Sequence, residues 1–328
     1  PAQPTTFGHY ILGFADPLIR DSRRLLLDLE DVDASPAGAG AANGSTLPID
    51  RDRVATQLGF ARSVRHLRDA MWQTDPFLHA TMDAASVALT LDRLAEDLET
   101  YASREFDFIA LGDGLVRPSV LMPQKRNPYA LSVVRGTAAV LIGRATSQMA
   151  LAKSPSARSD SLIYAYGEVP RALDAAGRVA ALMTAVVETM TVNRDRMRDA
   201  LRGSNVEATD IAGWLATTCG LDYARAHAVV AAALADSDVS VSSLERAVSE
   251  ALGYDVTLDA AELESLRDPE ALLRRRSVPG GPGDIASMAS ANELARQDIL
   301  RVVENARDRW DRAEADTIRA VRSMAAAR

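Results

Sequence analysis

Between Ser119 and Pro128 the chain reads Ser-Val-Leu-Met-Pro-Gln-Lys-Arg-Asn-Pro, which places a hydroxyl, a cation and an amide within ten residues. Asn is a favoured helix N-cap, and Pro fits a first helical turn because its missing N–H would be unpaired there anyway. The pair Asn127-Pro128 therefore predicts a helix opening at Asn127. Its free N–H groups and partial positive charge would stand beside the Lys125 ammonium, a strong attractor for a carboxylate. Upstream, Gly112-Asp113-Gly114 supplies a hinge on which Ser119 can swing over a bound substrate, as catalytic lids do.

Long helices must carry this loop. Leu91, Leu94, Leu98 and Tyr101 recur at helical spacing, as do Val134, Ala138, Leu141, Ala145 and Met149, and Leu173, Ala176, Ala180, Met183, Val187 and Met190. Alanine-rich stripes of this kind pack closely, and apolar residues on more than one side imply that another subunit covers the second face. The fold class expected is all-α, a long-helix bundle over residues 1–193 and a small helical domain over residues 194–328, where shorter capped helices begin. Ser242-x-x-Glu245 and Asp259-x-x-Glu262 read as capping boxes there, and a last helix is expected from about Asp284. Pro17 should kink or end the first helix, and residues 153–161, with Pro155 and several serines, read as an exposed loop.

The 328 residues carry 45 acids against 37 basic residues, a net charge of −8, which argues against nucleic acid as a partner. An anionic substrate must then be held by local cations. Cys219 is the only cysteine, so no internal disulfide forms and a reducing cytoplasm is the natural setting. No apolar run approaches the ~20 residues of a membrane span. His9, His66, His79 and His227 lack metal-ligand spacing, Cys219 reads as a small buried hydrophobe, Arg274-Arg275-Arg276 reads as a solvated face, and no cofactor is implied.

The segment ending Met122-Pro123-Gln124-Lys125-Arg126-Asn127-Pro128 resembles the signature of the fumarase/aspartase superfamily, and its Met-Pro-Gln-Lys form is most similar to argininosuccinate lyase. Gln3-Pro4-Thr5-Thr6, Ser35-Pro36-Ala37-Gly38-Ala39-Gly40, Gly44-Ser45-Thr46-Leu47-Pro48-Ile49-Asp50-Arg51 and Ala208-Thr209-Asp210-Ile211-Ala212 also resemble segments of that family, in the same order. The resemblance implies a homotetramer with sites shared between subunits, and elimination of fumarate from a succinyl compound by breaking a C–N bond. By motif position Ser119 is the base, while Lys125 and Asn127 hold the carboxylate that receives its electrons as an aci-carboxylate. Met122, Gln124, Thr6, Tyr164 and Tyr166 fall at substrate-binding positions. A serine is a weak base, so positive charge and hydrogen bonds that favour its alkoxide must activate it.

The departures from the family bear on substrate. Pro118-Ser119-Val120 replaces Gly-Ser-Ser, Trp72-Gln73-Thr74-Asp75-Pro76 replaces Ser-Asp-Arg-Asp-Phe, and a longer segment ending Ile163-Tyr164-Ala165-Tyr166-Gly167-Glu168 replaces Tyr-Asn-Lys-Asp-Leu-Gln-Glu-Asp-Lys. The last two stand where the family grips the arginine half, so a different amine is expected. The family's Thr-His-x-Gln motif and first domain precede the Gln-Pro-x-Thr segment, whereas this sequence opens at Pro1, so further carboxylate anchors and the general acid are expected from that domain or from other subunits. The competing expectations are a C–O lyase or cycloisomerase of the same superfamily, and a non-catalytic relative such as the lens crystallins related to argininosuccinate lyase.

Overall fold

The computed structural model describes residues 3–153, 155, 160–237 and 239–326. Its elements run α1 (Phe7–Leu12), α2 (Ala15–Val32), β1 (Ala34–Ser35), α3 (Arg51–Gln57), β2 (Arg62–Ser63), α4 (Asp75–Tyr101), β3 (Ile109–Ala110), β4 (Arg117–Pro118), β5 (Arg126–Asn127), α5 (Tyr129–Leu151), α6 (Ile163–Tyr166), α7 (Glu168–Thr189) and β6 (Thr191–Val192). There follow α8 (Arg194–Leu201), α9 (Ala208–Cys219), α10 (Tyr223–Ala235), α11 (Val241–Leu252), α12 (Ala260–Arg267), α13 (Pro269–Arg275) and α14 (Ile285–Ala326). The strands are two-residue pieces, paired β1 with β2 in parallel and β3 with β6 and β4 with β5 antiparallel. Helices carry the fold, as the stripes require.

The chain divides into two compact units. Residues 14–192 group with 291–326, and residues 3–13 group with 193–290, so the division is not a single cut after residue 193. The grouping of α14 follows from particular bonds. Arg309 donates to the Gly59 carbonyl at 2.9 Å and pairs with Asp33, and Ala306 is buried. A mostly polar helix gives no sign in its sequence of which neighbour it will join.

In the larger unit α4, α5 and α7 pack on one another and α2 lies along α4. The seam is small: Ala84, Ala85 and Ala88 meet Ala138, Leu141 and Ala145, with Ala172 and Ala176 closing the third side. Alanines let the backbones approach, and the larger Leu91, Leu94, Leu98, Leu131 and Val134 fill the remaining interior. On α4 and α5 the expected stripes are buried, except that Tyr101 is half-buried and Met149 exposed. On α7 Ala176 and Met183 of the expected stripe are buried, together with Ala172, Val179 and Val186, while Ala180 and Val187 are half-buried, Leu173 is turned outward, and Met190 lies past the helix. Alanines on both faces of α7 leave the period with two readings one residue apart.

Two local expectations need correction. Pro17 is the third residue of α2, where an N–H would lack a partner anyway, so it starts a helix and ends none. Ser240, not Ser242, caps α11, because its hydroxyl accepts from Ser243 N at 3.2 Å while Glu245 turns away to accept from Leu258 N. Asp259 does cap α12, and α14 begins at Ile285. The smaller unit is built on Ile211, Leu215, Leu244, Val248, Leu263 and Leu272. In it Arg276 clasps Asp210 through bonds of 2.6 and 2.8 Å and Arg275 clasps Glu262, so the arginine triplet is ion-paired and is not simply a solvated face. Most of residues 153–161, read above as a loop, lie outside the described residues. No helix among those described is long and apolar enough to cross a membrane.

Candidate active site

Ser119 and Lys125 sit in the loop of a small hairpin. Strand β4 pairs with β5 in the register Arg117 to Asn127 and Pro118 to Arg126, and the seven residues 119–125 close it. The Ser119 hydroxyl accepts a hydrogen bond from Met122 N at 3.0 Å, and Lys125 N donates to Met122 O at 3.0 Å, which turns the loop back on itself. A backbone N–H aimed at the serine oxygen favours its anionic form. Val120 and Leu121 project into solvent, Met122, Gln124 and Lys125 are exposed, and Ser119 is half-buried beneath them.

The helix does not open at Asn127. Asn127 is in β5, its side-chain amide donates to Arg117 O at 3.1 Å, and α5 starts at Tyr129 with no side-chain cap. Backbone pairing with Arg117 holds Asn127 extended, so it locks the hairpin to the helix mouth where a cap was expected. Arg117 lies over the Tyr129 ring at 5.2 Å, and Arg126 pairs with Asp113 at 2.6 Å. Three cations, Arg117, Lys125 and Arg126, are thus gathered beside one acid at an uncapped helix start, an anion-attracting arrangement in an acidic chain. Behind it, Arg135 ties α5 to α4 through Glu99 at 2.7 Å and Glu96 at 3.2 Å, and Ser132 adds a bond to Glu99. Hydrogen bonding to Glu99 holds the Arg135 guanidinium above its ordinary pKa.

Gly112 sits against the end of α7, where a Cβ would come 2.8 Å from Thr189 Oγ1, whereas Gly114 faces open space. The expected hinge is therefore free at Gly114 and closely packed at Gly112.

Tyr164 and Tyr166 lie at the other end of α5. The α5 residue Gln148 donates to Ala165 O at 3.2 Å and fastens α6 there; Tyr164 is largely exposed, and Tyr166 meets the Phe77 ring edge-on at 5.5 Å. One chain thus brings Ser119, Lys125, Asn127, Met122 and Gln124 together and keeps the tyrosines a helix length away. Thr6 belongs to the smaller unit, where its hydroxyl caps α1 by accepting from His9 N at 3.0 Å. His9 is held there too, between Thr5 and the Gly280 carbonyl. Burial pushes the Cys219 thiol up, away from a nucleophile's range.

Two cavities flank the tyrosine end. An apolar one of ≈ 290 Å³ is lined by Tyr166, Phe77, Pro76 and Asp28 among others, and a polar one of ≈ 690 Å³ by Arg62, Arg65, His66, Asp31, Asp69 and Asp75 among others. Sequence reasoning passed over Asp21 and Asp28, seven residues apart on the buried face of α2 between its leucines. That spacing of acids within an apolar stripe is a readable signal. Arg24 bridges Asp21 and, at 3.1 Å, Asp83 of α4. Burial, together with Asp83 and against the opposing effect of His79, holds the Asp28 carboxyl well above its ordinary range, at about 6.

Comparison with known proteins agrees with this architecture. Residues 1–143 match the family model described as lyase. The chain is 35% identical over 246 residues, 75% of its length, to argininosuccinate lyase 1 of Mesorhizobium japonicum, and 31% identical over 297 residues, 90% of its length, to argininosuccinate lyase of Pelotomaculum thermopropionicum. It spans 53% and 64% of those two relatives. Among solved structures, an EDDS lyase variant with bound fumarate superposes at a TM-score of 0.84, covering 98% of this chain and 67% of that one at 22% identity. Over most of its length the chain is thus argininosuccinate lyase-like.

Proposed function

We propose that the protein is a carbon–nitrogen lyase that releases fumarate from an N-substituted aspartate. Ser119 takes the proton from the carbon next to a carboxylate, and the electron pair moves into that carboxylate. Lys125 and the mouth of α5 hold the resulting aci-carboxylate, and Asn127 keeps the hairpin against that mouth. The electrons then return, the C–N bond breaks, and the amine leaves with the bonding pair. The observation that carries the reading is the Met122 N–H aimed at Ser119 Oγ in a hairpin whose return limb bears Lys125. The names of the two curated relatives support it.

We further read the enzyme as a cytoplasmic homotetramer. Val140, Ile142 and Met149 of α5 are exposed, as are Leu89 of α4 and Leu173 of α7, which is the surface a second copy would cover. Association would also let the hairpin of one copy meet the tyrosine end of another. The test incubates the protein with fumarate and a panel of amines and follows fumarate by ultraviolet absorbance. Ser119→Ala should lower turnover by ~10²–10⁴-fold with the fold intact, as loss of a positioned base does. Turnover within a few-fold of the parent would sink the assignment.

A further inference from the structure

The hairpin of β4 and β5 sorts its side chains by face. Successive residues of a strand point to opposite sides, and partners across a pair point to the same side. Arg117 stands opposite Asn127, and Pro118 opposite Arg126. Ser119 and Lys125, the next residues along the two limbs, therefore return to the face of Arg117 and Asn127, while Arg126 falls on the other. There Asp113 pairs with Arg126 at 2.6 Å and offsets its charge. One side of the hairpin thus carries the serine, the lysine, the asparagine and a second cation, Arg117, that the elimination described above does not use.

The setting of Arg117 differs from that of a solvated arginine. Its guanidinium lies over the ring of Tyr129, the first residue of α5, at 5.2 Å, and no acid pairs with it among the described residues. A guanidinium held over an aromatic face keeps its edge N–H groups free, in a fork that fits one carboxylate through two bonds. Tyr129 also holds this fork beside the first N–H groups of α5, which have no partner within the helix. Arg117 and Ser119 are two residues apart on an extended limb, ~6.6 Å by strand rise. A four-carbon dicarboxylate laid along that limb can meet the arginine with one end and Lys125, across from Ser119, with the other.

We propose that Arg117 anchors the second carboxylate of the succinyl group, the one that takes no electrons during elimination, so that this hairpin holds both carboxylates as well as the base. The assignment rests on the lyase reading, and it puts in this chain one of the carboxylate anchors expected from elsewhere.

Fumarate and crotonate, which has a methyl group in place of one carboxylate, separate this role from a structural one. Calorimetry measures the affinity of each for the parent, Arg117→Met and Tyr129→Leu. Methionine keeps much of the length of arginine without its charge, and the bond from Asn127 goes to the Arg117 carbonyl, which the change leaves in place. Arg117→Met should cut the preference for fumarate over crotonate at least about tenfold, the worth of one charge-assisted hydrogen bond, while crotonate affinity holds. Tyr129→Leu, which removes only the aromatic platform, should cut that preference about two- to fivefold. In turnover, Arg117→Met should raise KM with kcat nearly unchanged, because this carboxylate is held alike before and during elimination. A preference that Arg117→Met leaves unchanged, or affinities for both ligands that fall together as they would in a disturbed hairpin, overturns the assignment. The Ser119→Ala assay decides the lyase reading apart from it. Ser119-dependent fumarate release with an unchanged preference in Arg117→Met removes the role of Arg117 alone, whereas a parent that neither binds nor releases fumarate removes both.

Discussion

Asn127 and Tyr166 bracket α5: the first is held by Arg117 O just ahead of the helix, and the second follows the Gln148 to Ala165 bond at its end. The 23 residues between span about 34 Å, far beyond the reach of one small substrate. If both ends serve one site, two copies must supply them. Mixing inactive Ser119→Ala subunits with inactive Tyr166→Ala subunits should then restore part of the activity, because some mixed sites receive an intact hairpin and an intact tyrosine. Sedimentation equilibrium should give a tetramer. A clean monomer at micromolar concentration, or hybrids as inert as their parents, would refute the shared site.

Gly112→Ala should destabilise the larger unit by about 1–3 kcal/mol, the usual cost of an added carbon in a packed site. The backbone there has φ −58°, open to any residue, so the cost is space. The new Cβ would meet Thr189 Oγ1 at 2.8 Å and Thr189 Cβ at 3.0 Å. Thr189→Ala in the same chain should relieve the first contact and return about half of the loss. Denaturant melts of the two single variants and the double variant measure this, and strictly additive effects would show that the clash is elsewhere.

Asp28 makes stability depend on pH in a definite direction. Its carboxyl titrates near pH 6 in the folded chain and near 3.8 when unfolded, so between those values the folded state holds more protons. Stability contributed by the protonated group is present below that window and is lost as pH rises through it. Asp28→Asn should therefore melt higher than the parent at about pH 7, by up to about 3 kcal/mol of stability, and lose the advantage near pH 4. An advantage constant across pH would assign the effect to packing.

Much of the bundle was legible in its stripes because Leu91, Leu94 and Leu98, or Val134 and Leu141, stand in contrast to charged neighbours. The register of α7 was not, since alanines on both of its faces remove that contrast. Asn127 shows a different limit. Its local preference for a helix cap is overruled by pairing with Arg117, ten residues away, which no short window contains. The site motif was readable as a run of types, whereas the Asp28 cavity is assembled from α2, α4, α6 and α7 and needs the packed helices to exist.

The last prediction concerns the amine. At the tyrosine end, Tyr166 and Phe77 meet edge-on, Tyr164 is largely exposed, and the adjoining cavity is mostly apolar, with Asp28 and Tyr166 its only polar residues among those that line it. Aromatic walls reward apolar or aromatic surface, while a guanidinium there would find no carboxylate with both oxygens open to it, since Asp28 Oδ2 is fully buried. Each charge-assisted hydrogen bond left unmade weakens binding by about 1.5–3 kcal/mol, tenfold or more. Among N-substituted aspartates, those carrying an arylalkyl group should therefore show a higher kcat/KM than argininosuccinate, with the difference mainly in KM, because the amine half is held alike before and during elimination. The polar cavity nearby gives the opposite outcome a clear meaning. If argininosuccinate is the best substrate, its guanidinium is received among Asp31, Asp69 and Asp75, and the tyrosines serve only to pack the end of the bundle.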